Sequence, residues 1–585
     1  MEQGAATVPL TESGGDVTYA APDISVLMTS VGTIPDQILP TMAEVFLSRA
    51  EDDHTALLFE DSKWSYRELV REAAVRSSWM QAKRPGDDRP WHVGVLLENT
   101  PEYLFLLAGA ALSGATIVGI NPTRRGEELA RDIRGTDVDV IVVDAAYAGL
   151  LEGLDTGARE IIRSDSPEYQ ALLAEHAEAP AKATAEALDP SNVLVLLFTS
   201  GSTGAPKAVI CTTGRWARVT QVSIFDFGPD DVAYNAMPLF HGNALFSAWS
   251  PAINARGALA IRRKFSASGF LPDVQKFGAT FFNYVGRSLA YVLAQPESEA
   301  EADNKLRFGF GTEASTKDRA EFLRRFNTPV YESYGSSEGA CYIINTAETP
   351  EGALGVPQVG HFPEVVNEDG ELCPPAEFDE NGVLLNMEAA IGELVSRNAA
   401  SMFEGYYKNP EAAADKLRDG DFWTGDLAYR DADGFFYYAG RTADWLRVDS
   451  ENFAAAPVER ILARYPGVSV AAVYPVPDPR TGDLVMATLQ LTVEAPDFDP
   501  EAFTAFLAEQ KDMGTKWAPR LLRVTRDLPV TATSKVDKPA LRRQLWRTSD
   551  PVFEHTPEGY RPLDESAVER LLAEYAEHGR TQLVG

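Results

Sequence analysis

The stretch Leu196–Ile210, LLFTSGSTGAPKAVI, runs from apolar residues into hydroxyls, glycines and a single lysine. Gly201 and Gly204 let backbone N–H groups turn toward one point, and Thr199, Ser200, Ser202 and Thr203 add hydroxyl donors around it. Donors that converge in this way form a nest for an anion. Lys207 adds a full charge, worth about 4 kcal/mol per phosphate charge at about 4 Å and an effective dielectric near 20. The loop is not of the GxxxxGK type, because Pro206 stands where that pattern requires glycine. An ordinary Ser/Gly turn has the same composition, so the loop alone leaves both readings open. A second pattern, GSSEG at 335–339, satisfies GxSxG, the hydrolase nucleophile elbow, which needs a strand before the serine and a helix after it. PVYESY supplies the strand, but ACYIINT reads as β and no HGGG-type oxyanion segment is evident, so the hydrolase reading is set aside.

These groups must be carried by more than one domain, because the chain has 585 residues and single cores stop growing near roughly 250–300. Hydrophobic residues make up 45% and charged residues 24%, an ordinary globular balance. Against 53 basic residues stand 86 acidic ones, a net of −33. That charge repels nucleic acid and anionic lipid, and it leaves any anionic ligand to be held by a few locally placed cations. The three cysteines, Cys211, Cys341 and Cys373, include no CxxC pair and no histidine cluster at ligand spacing. A reducing, cytoplasmic compartment without structural zinc is the expectation. The N-terminal MEQGAATVPL lacks the basic and apolar regions of a secretory signal. Tyr103–Ile120 is 18 residues without a charge, but its Ser-Gly break and β-branched second half predict a buried helix to Leu112, a turn and a strand rather than a membrane span.

The short β-branched runs WHVGVLLEN, ATIVGIN, VDVIVVD and VLVLLFTS alternate with helical segments such as EELARDIRG, which predicts βαβ units and a largely parallel sheet. The alternation continues through GATFFNYVG, KLRFGFG and PVYESYG, then yields after about Leu354 to hairpin signals in NEDGEL, DENGVLL and DADGFFYYAG. From Arg441 onward the pattern is that of a small α+β unit. The expected organisation is an N-terminal arm (1–35), a large domain (36–440), a small lid (441–549) and a C-terminal strap and helix (550–585).

Six motifs fall in order along the chain: TSGSTGAPKAV, MPLFHGNAL (237–245), YGSSEG (334–339), WTGDLAYRD (423–431), GRTADWLRV (440–448) and TATSKVDK (531–538). Together they resemble the adenylate-forming superfamily of acyl-CoA synthetases, luciferases and peptide-synthetase adenylation domains, over about residues 55–545. RTADWLRVDSENFAAAPVE and TATSKVDKPALR are most similar to the very-long-chain acyl-CoA synthetase and fatty-acid-transport-protein branch. The resemblance implies an α/β fold: a large N-terminal domain of βαβ subdomains with a small β-barrel-like part, and a small mobile C-terminal α+β domain. It implies ATP, Mg²⁺ and coenzyme A as cofactors and a bulky hydrophobic carboxylic acid as substrate, long-chain, steroid-like or polycyclic. A carrier-protein thiol stands as an alternative acceptor, and oligomeric state is left open.

By the same resemblance, residues 199–204 and Lys207 hold the β- and γ-phosphates, Glu338 binds Mg²⁺, and Ser337 contacts the α-phosphate. Tyr334 stacks on adenine, with Gly311, Thr312, Glu313 and Ala314 lining the base pocket. Asp426 binds the ribose, Arg441 reaches ribose or phosphate, Lys535 bridges the attacking carboxylate and the α-phosphate, and Asp444 is the hinge. His241 gates the acyl pocket, whose wall is sought in Phe246, Trp249, Tyr284 and Gly286. Ser450, Glu451 and Asn452 line the thiol channel. Several positions depart from the family pattern: Ala208, Ala443, Ser450 and Ser534 replace commoner residues, and GTEAS (311–315) is unusual for the adenine segment. Ser450, in place of a glycine that lies against pantetheine, motivates the alternative of an enzyme specialised for one half-reaction, or of a non-catalytic acyl-nucleotide-binding protein.

Overall fold

A computed structural model describes residues 37–584 apart from 87–88, 200–206, 223, 287, 315, 347, 380–383, 442–444, 449–450, 481, 494, 511–512, 515 and 532–534. The chain divides into two compact units, Met1–His361 with Ala399–Leu417, and Phe362–Asn398 with Arg418–Gly585.

In the first unit the helix Met42–Leu47 is followed by a hairpin of β1 (Thr55–Phe59) and β2 (Ser62–Ser65). Next come β3 (His92–Leu96), β4 (Thr116–Gly119), β5 (Val140–Val143), β6 (Glu160–Arg163), β7 (Val193–Thr199) and β8 (Lys207–Thr212). They form one sheet in the order β6-β5-β3-β4-β7-β8, parallel except for the β7–β8 hairpin. The helix Gly126–Gly135 buries Leu129, Ala130 and Ile133, a 3.6-residue spacing that turns one face to the sheet residues Ile141 and Val143. The uncharged stretch resolves as expected: a buried helix, Pro101–Ser113, is ended by Gly114 at φ 77°, and β4 follows. A left-handed residue at this position favours glycine. No helix among the described residues is long and apolar enough to cross a membrane.

The chain then adds β9 (Val232–Asn235), β10 (Ala258–Ile261), β11 (Phe281–Val285), β12 (Phe308–Thr312), β13 (Val330–Gly335), β14 (Tyr342–Ile344) and β15 (Val356–Pro357). With the first hairpin these make a nine-stranded sheet ordered β15-β14-β13-β12-β11-β9-β10-β1-β2. The strands β1 and β9 to β13 are all parallel. Their carboxyl ends therefore share one edge, where ligands bind in open α/β sheets.

In the second unit, Pro363–Val366, Gly392–Ser396, Asp421–Arg430 and Phe436–Arg441 pair antiparallel, the architecture that the Gly-bearing turns signal. A five-stranded sheet follows, built from Val468–Pro477, Asp483–Leu491, Leu521–Thr525, Val552–Thr556 and Gly559–Pro562. Its residues alternate between two cores. Val473 packs with Val458, Ile461 and Phe503 of the helices Ala455–Leu462 and Pro500–Glu509. Ala472, Tyr474 and Val476 pack with Leu541 and Tyr575 of Lys538–Gln544 and Glu565–Glu577. The segment read as a strap thus contributes the last two strands of this sheet.

Candidate active site

In the first unit, β7 and β8 deliver the two ends of the glycine-rich loop. Thr199 and Lys207 are direct partners across the hairpin, while Ser200, Gly201, Ser202, Thr203 and Gly204 lie outside the described residues. The segment 405–407 runs along β8: Ile210 N donates to Gly405 O at 3.1 Å, and Tyr407 N to Ala208 O at 2.8 Å. This pairing brings Tyr406 beneath the lysine, whose Nζ lies 5.1 Å from the ring centroid. The Tyr406 hydroxyl donates to Glu338 Oε1 at 2.8 Å. One buried tyrosine therefore joins the loop's cation to the carboxylate assigned to Mg²⁺, a link that neither motif reveals by itself. Burial, reinforced by the Glu338 charge, holds the Tyr406 proton well above the usual phenol range.

The turn carrying Ser337 and Glu338 is braced from behind by Arg215, a buried residue on the helix Thr213–Gln221. Its guanidinium donates to Ser337 O at 2.6 Å and Ile210 O at 3.0 Å. Thr212 caps that helix, and both its N–H (2.8 Å) and its hydroxyl (2.6 Å) donate to Glu404. The β7–β8 hairpin, the 334–339 turn and the 404–407 segment are thereby one hydrogen-bonded assembly.

The segment expected to line the adenine leaves the carboxyl end of β12, next to β13, which carries Tyr334. A Cβ on Gly311 would fall 2.2 Å from Tyr284 O, so only glycine lets these strand ends approach. Beyond it, Glu313 takes φ 70°. The backbone N–H groups of Glu313 and Ala314 donate to the Glu332 carboxylate at 2.7 and 3.0 Å, and the Tyr284 hydroxyl donates to the same group. Burial pushes the Glu332 carboxyl up to about 6, opposed by these hydrogen bonds and the Arg319 charge. The unusual GTEAS segment is thus shaped by a carboxylate from the neighbouring strand.

The acyl-side residues divide. His241 precedes the short helix Gly242–Ala244, with its ring 4.7 Å from Phe240, and a π-helical turn, Leu245–Trp249, follows. Phe246 is half-buried and edge-on to Trp216 at 5.8 Å. Trp249 is fully buried between Phe46 and Trp216, and Tyr284 is fully buried with its hydroxyl on Glu332. Gly286 turns at φ 52° and donates its N–H to Thr312 O at 2.8 Å, which ties the end of β11 to the adenine segment.

In the second unit, Asp426 and Arg441 are register partners across the strands Asp421–Arg430 and Phe436–Arg441, with Nε 3.7 Å from Oδ1. The preceding turn is pinned by Thr424, whose hydroxyl donates to Leu394 O at 2.7 Å, and by Gly425 N–H, which donates to Glu393 at 2.9 Å. Lys535 pairs with Thr531: Thr531 N donates to Lys535 O at 2.7 Å, Lys535 N returns to the Thr531 hydroxyl at 3.2 Å, and Val530 bridges Val536. Asp444 and Ser450 lie outside the described residues. Glu451 and Asn452 open the strand Glu451–Ala454, paired with Trp445–Val448.

The AMP-binding enzyme family matches residues 45–407, and the AMP-binding enzyme C-terminal domain matches 457–535. Among curated proteins, the chain is 49% identical over 552 residues to a steroid-22-oyl-CoA synthetase of Rhodococcus jostii, covering 93% of this chain and 99% of that protein. A medium/long-chain-fatty-acid–CoA ligase of Mycobacterium tuberculosis is 43% identical over 516 residues, covering 88% of this chain and 98% of its own. Among solved structures, ATP-bound MatB from Rhodopseudomonas palustris superimposes with a TM-score of 0.75 at 24% identity, covering 87% of this chain and 99% of that one. The anthranilate CoA ligase AuaEII with anthranoyl-AMP gives a TM-score of 0.75 at 20% identity, covering 86% and 97%.

Proposed function

The chain belongs to the AMP-binding enzyme family, and on that premise we propose that it is an ATP-dependent acid–CoA ligase for a bulky hydrophobic carboxylic acid, with a steroid side-chain acid as the leading candidate. The observation that carries the chemistry is the Lys207–Tyr406–Glu338 cluster, which sets a cation for phosphate oxygens over the face of one tyrosine ring and a hard oxygen ligand at its hydroxyl. The acid class is supported by the likeness to a steroid-22-oyl-CoA synthetase and a fatty-acid–CoA ligase. Three free cysteines support a reducing, cytoplasmic setting.

The first half-reaction joins two anions. A carboxylate oxygen of the acid attacks the α-phosphorus of ATP, pyrophosphate leaves, and the acyl-adenylate forms. Positioning and charge neutralisation dominate such transfers. Lys207 neutralises phosphate oxygens, Glu332 shapes the backbone around the base, Asp426 accepts from the ribose hydroxyls, and Lys535 bridges the two reacting anions. Glu338 suits Mg²⁺. Among the described residues no group of three or more His, Cys, Asp or Glu is arranged to hold a metal ion, and Mg²⁺ commonly takes one or two carboxylates and completes its shell from phosphates and water. When bound, Mg²⁺ supplies further neutralisation of the phosphate charge. In the second half-reaction the CoA sulfur attacks the acyl carbon, the thiol proton is lost and AMP leaves, after the C-terminal part has rotated about the hinge at Asp444.

The test is ATP–pyrophosphate exchange and thioester formation, measured side by side with steroid side-chain, long-chain and aromatic acids in Mg²⁺ buffer. Exchange and thioester with a bulky apolar acid are expected. Activity confined to small polar acids would overturn the substrate class, and exchange without thioester would restrict the enzyme to adenylation.

A further inference from the structure

Two asparagines meet where the 241–249 segment lies against the carboxyl end of β11. Asn283, on β11, is only 3% exposed, and its Nδ2 donates to Asn243 Oδ1 at 2.7 Å. Asn243 belongs to the short helix Gly242–Ala244 and donates its own Nδ2 to Tyr284 O at 3.5 Å. Asn283 Oδ1 is buried and has no hydrogen-bond partner among the described residues. A buried acceptor in that state destabilises the fold, whereas two apolar side chains of the same shape would be nearly neutral or stabilising. Folding alone gives no reason for such a pair, and a ligand group that completes it does.

The direction of the hydrogen bonds fixes what that group must be. A backbone carbonyl only accepts, so Tyr284 O requires Asn243 to present its Nδ2. Asn243 then turns its Oδ1 to Asn283, which must answer with its own Nδ2. What remains is Asn283 Oδ1, an acceptor. Its complement is a donor, which excludes both an ionised carboxylate and a ketone, since these only accept. An ammonium donor would bring a charge beside the apolar Phe281 and Val285, buried residues two positions away on the same strand, and an unpaired charge is expensive to bury. A neutral alcohol hydroxyl meets the requirement.

The pair also stands on the acyl side of the sheet. Successive residues of a strand face opposite ways. Tyr284 turns to Glu332, the carboxylate that holds Glu313 and Ala314, so Asn283 faces away from that group and toward the 241–249 segment. This segment is open along one side: Ala244, Leu245 and Ala248 are buried, whereas Asn243, Phe246 and Ser247, one helical turn apart, are partly exposed. Its π-helical turn, Leu245–Trp249, is a distortion frequent at functional sites. Gly242 leaves room for the Phe246 ring, since a Cβ there would fall 3.1 Å from it. A half-buried aromatic ring and an amide pair thus share the face that follows His241, the residue expected at the acyl gate.

We propose that the acid activated by this enzyme carries an alcohol hydroxyl apart from its carboxylate, and that Asn283 Oδ1, held in direction by Asn243, accepts a hydrogen bond from it. The proposal deepens the ligase reading and rests on it for the class of acid. Its test is ATP–pyrophosphate exchange with matched trios of steroid side-chain acids that carry a hydroxyl, a ketone or a methylene at one ring carbon, the carbon being varied from trio to trio. At one such position the wild type is expected to favour the hydroxyl over both analogues by about tenfold or more in kcat/KM. Asn283→Leu is expected to lose that preference while using the methylene acid at least as well as the wild type, which also shows that it folds. Asn243→Leu frees the Asn283 amide to turn its Nδ2 outward, so the ketone is expected to become as good a substrate as the alcohol while the methylene acid stays poor. Equal use of the three acids by the wild type in every trio, a preference for the ketone, or an unchanged preference in Asn283→Leu overturns the proposal. If no acid supports exchange, the ligase reading fails separately, and calorimetric binding of the same trios decides the site: tighter binding of a hydroxyl acid that Asn283→Leu abolishes supports it, and no difference within any trio overturns it.

Discussion

Replacing Tyr406 by phenylalanine deletes one oxygen at the junction of the phosphate hairpin and the Glu338 carboxylate, and leaves the ring under Lys207 in place. The lost bond is 2.8 Å long and runs to a carboxylate oxygen. Hydrogen bonds to charged groups contribute roughly 1.5–3 kcal/mol. Glu338 is half-buried, so water replaces part of the interaction and the lower figure applies, about 1.5 kcal/mol, or close to tenfold in an equilibrium constant. The bond fixes the direction of the carboxylate rather than its charge. The expected effect in ATP–pyrophosphate exchange is therefore a half-saturating Mg²⁺ concentration raised about tenfold, with the KM for the acid unchanged and activity restored by excess Mg²⁺. Tyr406→Leu also removes the aromatic face 5.1 Å from Lys207 Nζ and is expected to raise the KM for ATP as well. A Mg²⁺ curve for Tyr406→Phe that superimposes on the wild type, or a loss that no Mg²⁺ concentration restores, would refute the reasoning.

Lys535→Ala is expected to slow adenylation by roughly 10²–10³ while sparing thioester formation from supplied acyl-adenylate, which quenched-flow measurement of both steps would check. Trp249→Ala, in the ring cluster with Phe46 and Trp216, is expected to cost about 3–5 kcal/mol of stability, read by chemical denaturation; undiminished stability with an altered acid preference would place this residue in the acyl wall instead. The Glu332 carboxyl titrates near 6 in the fold against an ordinary value of 4.5, so the folded state binds this proton more tightly than the unfolded chain. The stability it contributes is complete below about 4.5 and is lost as pH rises through about 6, a change of about 2 kcal/mol. Urea unfolding across that window should lack this component in Glu332→Gln.

What was legible in the sequence is what local order encodes. The β-branched runs of β3, β4, β5 and β7 became strands because each is a short apolar segment bounded by turns, and the helix ended at Ser113 because Gly114 turns left-handed. Motif spacing placed Asp426 and Arg441 in separate segments without disclosing that they are register partners across a hairpin. Aromatic type alone could not separate half-buried Phe246 from fully buried Trp249, three residues on, because a wall and a core use the same side chains. Tyr406, Arg215 and Glu404 carried no chemical signal of their own. Their roles arise from hydrogen bonds to residues more than sixty positions away.

The same limit holds for the cluster of charges at the ends of β1 and β10. The run Arg262–Arg263–Lys264 is visible, but in isolation it reads as a solvated charge cluster, and its aromatic floor comes in part from Phe59, some two hundred residues earlier. The two meet only because β1 inserts beside β10 in parallel, an arrangement that requires a long crossover and has no local signature. That insertion also sets the sign of the electrostatics. The hairpin that brings Phe59 brings Glu60 and Asp61 at its tip, so the cations arrive already masked by carboxylates that water can reach. Pairing of this kind spares the fold an uncompensated positive cluster.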